Sequence, residues 1–347
     1  MNQILKEDLY QIIKENNGLK ELYNKSILIT GASGMIGSYF ANTLYLLNEE
    51  YNANIKIYLL LRNPDKLPDY LRNNKEIRLI IQDVTKEIII DDHIDYIIHA
   101  ASPASPLIMK EHPVETNYAN TLGTANTLNL AKEKKALGYL FISSREIYGE
   151  PREDQELFYE EGPYGDLDPL VPRNGYAEGK RAAENMCVSF KQEYGLNTKI
   201  ARLAHTYGPG MSVDDGRVQA DFLRNVINDE DIVLKSEGKP IRTYTYISDA
   251  ISAMFMILLK SKEMVYNISS MNSKTSIREL AETLVSLSDK NIKLVFDIPK
   301  EVKNTGTSSF TKGILSTDKI EKELNWKPLY DIKSGFKRTI DYLKSSK

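Results

Sequence analysis

The sequence predicts an α/β protein: a doubly wound parallel sheet covered on both faces by helices, followed by a smaller C-terminal α/β lobe. Three observations predict it. Short apolar runs alternate with helical stretches through residue 203. A glycine loop, Gly31-Ala-Ser-Gly34-Met-Ile-Gly37, directly follows the first run. Beyond about Gly208 the alternation gives way to Pro, Gly and charged loops between short helices. Strands separated by helices need crossover connections, and such strands are buried on both faces.

The elements follow in order. In residues 1–24, Leu5, Leu9, Ile12 and Ile13 form one helical stripe, which predicts a short amphipathic helix packed on the body. Lys6, Glu7, Asp8, Lys14 and Glu15 interrupt it, so it has no continuous apolar stretch and does not read as a signal peptide. Strands are predicted at 26–30, 55–61, 77–81, 96–100, 139–143 and 198–203. Helical periodicity runs from the glycine loop through Leu47, then over 117–134, 176–194 and 277–287. Right-handed crossovers place the strand C-termini on one edge, where ligands bind. The expected division is a helical extension over 1–24, a Rossmann-type dinucleotide domain over 25–205, and a substrate lobe over 206–347. A segment near 241–263 is expected to return to the first domain.

Composition narrows the function. The chain has 347 residues, Lys+Arg 45 against Asp+Glu 48 and a net charge of -3, which gives no electrostatic footprint for nucleic acid. One cysteine, Cys187, excludes an internal disulfide framework, and it reads as a small buried residue. His93, His99, His112 and His205 have unrelated spacings, so no metal site is expected. The longest apolar run, 251–259, is half the length a membrane span needs. A cytoplasmic protein with no membrane partner is the expectation.

Gly31, Gly34 and Gly37 sit between a strand and a helix, the arrangement that brings backbone N–H groups to a dinucleotide pyrophosphate. The second strand ends Leu61-Arg62-Asn63. An Arg there suits a 2′-phosphate or stacks on adenine, so NAD and NADP both stay open. Asp83-Val84, after the third strand, suits the adenine amino group or a helix cap. The cofactor-binding set on this reading is Gly31, Ser33, Gly34, Met35, Ile36, Gly37, Arg62, Asp83, Val84, Ala100, Ala101, Ser102 and Asn120, with Tyr176 and Lys180.

Tyr176 and Lys180 are four apart and share a helical face. A phenol titrates near 10, and a nearby ammonium and a cationic cofactor ring are expected to lower it. Ser143-Ser144 ends the fifth strand, ahead of Arg145-Glu146-Ile147-Tyr148-Gly149. A hydroxyl there reaches the substrate oxygen that Tyr176 would deprotonate.

With these residues in this order, the chain resembles the extended short-chain dehydrogenase/reductase family, in its nucleotide-sugar epimerase/dehydratase branch, over about 25–345. It looks most like the UDP-glucuronate decarboxylases, with 4,6-dehydratases next. The resemblance is carried by His99-Ala-Ala-Ser-Pro-Ala-Ser-Pro106, Pro172-Arg-Asn-Gly-Tyr-Ala-Glu-Gly-Lys-Arg181 and Tyr207-Gly-Pro-Gly-Met-Ser-Val-Asp-Asp-Gly-Arg-Val218. It implies that Ser144, Tyr176 and Lys180 are catalytic and that Glu146 is an additional acid/base. It implies that Arg217 and Arg242 bind an anionic nucleotide-sugar substrate, with Ser102 beside it, and that Trp326-Lys-Pro328 is structural. It further implies a C4-keto sugar intermediate and a homodimer formed through the helices at 117–134 and 176–194.

Three positions depart from the family pattern. Arg145 stands where the decarboxylases carry a small hydroxyl residue, beside the reacting centre, where it holds an anionic group or turns outward. His205 replaces an Asn near the nucleotide diphosphate. Arg62 points to NADP, whereas a self-contained redox cycle relies on NAD. A net NAD(P)H-dependent reductase of a nucleotide-linked keto-sugar or ketose is therefore the alternative enzyme, and a cofactor-binding module without chemistry is the third reading.

Overall fold

The structure is a computed structural model that describes residues 1–152, 155–299 and 313–345. Helix α1 (Gln3–Glu15) precedes β1 (Ser26–Thr30), α2 (Met35–Tyr51), β2 (Lys56–Leu61), α3 (Asp69–Arg72), β3 (Ile77–Ile81) and β4 (Tyr96–His99). Then come α4 (Pro106–Glu111), α5 (Pro113–Lys134), β5 (Gly138–Ser144), β6 (Leu157–Phe158), α6 (Gly175–Tyr194), β7 (Thr198–Leu203) and β8 (His205–Tyr207). The rest comprises α7 (Val218–Ile227), β9 (Ile232–Leu234), β10 (Ile241–Tyr246), α8 (Ile247–Lys260), β11 (Val265–Ile268) and β12 (Lys274–Ser276). It closes with α9 (Ile277–Ser286), β13 (Leu294–Phe296), β14 (Ile314–Leu315), α10 (Asp318–Leu324) and α11 (Ile332–Ser345).

Seven parallel strands form the main sheet in the order β11-β7-β5-β4-β1-β2-β3. The chain leaves β1 to build β2 and β3 on one side, then crosses to β4 and builds outward on the other. The switch point therefore lies between the ends of β1 and β4, where Thr30 pairs with His99. β1 and β7 are buried at every position, because helices cover both faces. The seventh strand, β11, was not expected from sequence: four residues followed by a polar turn carry too little periodicity to read.

The lobe is built from short ladders. β10 pairs parallel with β8 and antiparallel with β12, while β9 pairs with β13 and β14 with β6. β10 then runs into α8, which is buried along most of its length and packs on α1, α2, β5 and β7. Strand β10 thereby carries lobe residues while its helix belongs to the sheet's core.

The N-terminal stripe is used as its spacing predicts, with Leu9 and Ile12 fully buried. Asp8 of α1 is also buried, accepting from Tyr39 of α2 and Tyr246 of β10 at 2.8 Å each and from Arg338 Nη2 of α11 at 2.7 Å. These partners satisfy a carboxylate whose burial alone would be costly. Among the described residues, no helix is long and apolar enough to cross a membrane.

Candidate active site

The glycine loop lies against the end of β4. Gly31 has φ +65, and a Cβ there would meet the Ala100 carbonyl and the Ala101 backbone at 2.8 Å. A Cβ on Gly37 would sit inside the Gly31 carbonyl. Gly34 caps α2 without a side-chain bond, so the first N–H groups of that helix face outward. This cradle suits a pyrophosphate, with Ser33, Met35 and Ile36 partly exposed around it. Thr30 Oγ1 accepts from Ala101 N at 3.2 Å and meets His99 Nδ1 at 2.8 Å. Ser102 Oγ donates to Asn120 Oδ1 at 2.7 Å, fixing the loop after β4 to α5. Arg62 is exposed and lies 3.8 Å from Asp83, whose other oxygen accepts from the Thr85 backbone and hydroxyl. Asp83 thus caps a local turn, and Val84 is buried against Gly123.

β5 delivers Ser144 to the same edge. Its hydroxyl accepts from Glu146 N at 3.2 Å, and it stands close enough to Tyr176 to pull that phenol's titration down. Glu146 pairs with Arg173 at 3.2 Å, at the entrance to α6. Lys180, one turn beyond Tyr176, donates to the Ile142 carbonyl at 2.7 Å and lies 5.9 Å from the Tyr176 ring. Burial, then Glu146, pushes the Tyr176 phenol up to about 12, against the pull of Ser144. In the protein by itself, Lys180 does not lower the phenol. Lys180 is buried as well, and burial pushes its ammonium down to about 7.

Cations line the side of this group that faces the lobe. Arg145 and Arg242 are both buried, and His205 lies beside Tyr244 with ring centroids 5.4 Å apart. Burial and then Arg145 push the Arg242 guanidinium down to about 10. Burial, followed by Arg145, Arg242 and Arg217, holds His205 far below its usual value, so it is neutral. Among the described residues, His205 Nδ1 and the Tyr244 hydroxyl are buried without hydrogen-bond partners. Arg145 has turned inward: a Cβ on Gly313 would meet its guanidinium. Arg217 pairs with Asp215 at 3.3 Å and donates to the Ala104 carbonyl at 3.1 Å, docking the lobe onto the loop after β4.

The sequence profile of the NAD dependent epimerase/dehydratase family matches residues 27–269. The chain belongs to that family. It is 32% identical over 312 residues to UDP-glucuronic acid decarboxylase 5 of Arabidopsis thaliana, spanning 90% of this chain and 87% of that one. Among solved structures, an epimerase from Methanothermobacter thermautotrophicus superposes with a TM-score of 0.79 at 19% identity, over 97% of this chain and 96% of that one. UDP-glucose 4-epimerase of Thermotoga maritima gives 0.77 at 22%, over 92% and 99%.

As a member of an NAD-dependent family, the chain uses a nicotinamide dinucleotide, and the glycine cradle fits one. Within the family frame, the structure brings Ser144, Glu146, Tyr176 and Lys180 together at the sheet edge, with Arg145, His205, Arg217 and Arg242 on the lobe side. Arg173 and Tyr244 were missed from sequence. Arg173 lies inside the segment around Tyr176, three residues before it, and that spacing at a helix start was a usable signal. Tyr244 gave none, since its role depends on which strand faces β5.

Proposed function

We propose that this protein is a nucleotide-sugar decarboxylase acting on a UDP-glucuronate-type substrate, with the sugar held between the sheet edge and the lobe over 206–347. The observation that carries the reading is the pairing of two half-sites. Ser144, Tyr176 and Lys180 form an oxidation–reduction set, and opposite them stand Arg145, Arg242 and Asp215-paired Arg217, with a His205 that burial above all keeps neutral. Guanidinium forks suit carboxylate and phosphate, which are the two anionic groups of such a substrate.

When bound, the nicotinamide supplies the hydride acceptor and donor. Tyr176 takes the proton of the C4 hydroxyl while Ser144 holds that oxygen, and C4 becomes a ketone. The C5–C6 bond then breaks, its electron pair moves into the C4 ketone as an enolate, and carbon dioxide leaves. Glu146, oriented by Arg173, is positioned to return a proton at C5. Tyr176 gives its proton back as C4 is reduced, so the cycle consumes no net cofactor. NAD suits this closed cycle, and exposed Arg62 is already paired with Asp83.

The test is UDP-glucuronate with catalytic NAD, read by mass spectrometry and carbon dioxide release. Loss of the carboxyl carbon without net redox is expected. Stoichiometric oxidation of NADPH with a keto-sugar would instead assign a reductase. We also infer a homodimer through α5 and α6, because Val114, Tyr118 and Leu122 on one helix and Val188 and Tyr194 on the other are exposed apolar residues. Light scattering should report twice the chain mass, and Tyr118→Glu should halve it.

A further inference from the structure

Behind Tyr176 lies a buried carboxylate that the proposed chemistry does not use. Tyr176, Lys180 and Glu184 occupy successive turns of α6 at a spacing of four and form one stripe. Two side-chain bonds fasten that stripe to consecutive residues of β5. Lys180 Nζ donates to the Ile142 carbonyl at 2.7 Å, and Ser143 Oγ donates to Glu184 Oε1 at 2.5 Å. The next residue is Ser144. Glu184 also accepts from Arg202 Nε at 3.0 Å and Nη2 at 2.7 Å, from neighbouring strand β7. Arg202 Nη1 donates in turn to the Tyr148 hydroxyl at 2.8 Å and the Glu160 carbonyl at 2.9 Å. Tyr148 closes the turn that holds Glu146. One buried ion pair therefore binds the residue before Ser144 and the turn that holds Glu146, from the helix that carries Tyr176 and Lys180. Buried pairs of this kind are poor sources of stability compared with apolar packing, so stability alone does not account for it.

We infer that Glu184 is a positioning residue, which sets the register of Tyr176 and Lys180 against Ser144 and supplies the negative charge that Lys180 faces. The groups around Lys180 are Tyr176, Glu184 and Cys187 on its own helix, His99 on β4, and Arg202 behind Glu184. Burial keeps the phenol and the thiol protonated and His99 neutral. Glu184 is thus the anion that favours the ammonium form of Lys180, against the burial that disfavours it. Removing its charge lowers the Lys180 midpoint from about 7, so that the lysine becomes neutral at neutral pH.

The effect on turnover rests on the reaction proposed above, whereas the Lys180 titration does not. The experiment is NMR of the full chain carrying 13C-labelled lysine, with the Lys180 signal identified by its loss in Lys180→Met. In Glu184→Gln the midpoint should fall by about one pH unit or more, and turnover should recover toward acid pH. Glu184→Asp should keep the midpoint but lose kcat through the shortened reach, with KM little changed. Ser143→Ala should lower kcat without moving the midpoint. If Glu184→Gln does not fold, Glu184→Gln/Arg202→Met removes both charges, and a smaller downward shift is expected. A Lys180 midpoint unmoved in every folded variant lacking the Glu184 charge overturns the inference. A shifted midpoint with no decarboxylation by the wild type supports it while removing the proposed reaction.

Discussion

On the sheet side of Tyr176, buried charge is matched. Glu184 meets Arg202 Nη2 at 2.7 Å, the same nitrogen also reaches the Tyr164 hydroxyl, and Nη1 reaches Tyr148 and a backbone carbonyl. On the lobe side, buried charge is crowded: burial and then Arg145 lower Arg242, and burial, followed by Arg145, Arg242 and Arg217, keeps His205 neutral. Matched charge fixes positions, because each partner limits where the other sits. Crowded like charge favours the arrival of an anion, since the ligand relieves the repulsion between its hosts. One side is built for geometry and the other for binding, with Tyr176 between them.

The largest expected effect separates chemistry from binding. Tyr176→Phe removes one oxygen and leaves both charge groups in place. Turnover should fall about 10²–10⁴-fold, while UDP-glucuronate affinity, measured by calorimetry, should change less than about threefold. Equal losses in both would mean that the phenol serves binding and that the two sides are not distinct.

Next comes the crowded side. Arg242→Met and Arg145→Met should each raise KM about 10- to 100-fold, with kcat much less affected. The effect of Arg145→Met should be larger for UDP-glucuronate than for UDP-glucose, because the substrates differ by the carboxylate. A fall in kcat at constant KM would move Arg145 from binding into the chemistry.

The two sides also differ in how far the sequence reveals them. Ser144, Tyr176 and Lys180 were legible because each follows a local pattern: a strand end, or a helical spacing of four. The stripe continues to Glu184 at the same spacing, but its meaning depends on Arg202, and only the pairing of β5 with β7 brings them together. The lobe was harder to read. Strands of three residues such as β8 and β12 show no periodicity, and β8 and β10 meet through parallel pairing across a long insertion. Arg145 and Arg242 were visible as candidates, but the burial that makes them crowd was not. Asp8 reads in sequence as one charge in a solvated stripe. Its partners Tyr246 and Arg338 are separated from it by 238 and 330 residues.

Breaking the matched side should be costly, because it strands a buried charge. Arg202→Met leaves the Glu184 carboxylate buried opposite an apolar group. Unfolding by urea should then require about 3–5 kcal/mol less. If the cost is near zero, the carboxylate has found water or a proton, and the rigidity assigned to this side is wrong.

The smallest effect concerns pH, and it tests whether the matched side extends to β4. His99 is buried between the Thr30 and Thr124 hydroxyls, and burial, then Lys180, pushes it down to about 3. In the unfolded chain it titrates near 6.5. Between those values the unfolded state binds a proton that the folded state refuses, so stability rises with pH across this window. The contribution is complete above about 6.5 and is lost as the pH falls toward 3. In urea unfolding measured from pH 7 down to pH 4, His99→Asn should flatten this part of the acid slope, at a small cost at neutral pH. An unchanged slope would mean that the ring accepts a proton in the folded state. Thr30 and Thr124 would then be hosting a cation next to Lys180, and the sheet side would be crowded in the same sense as the lobe.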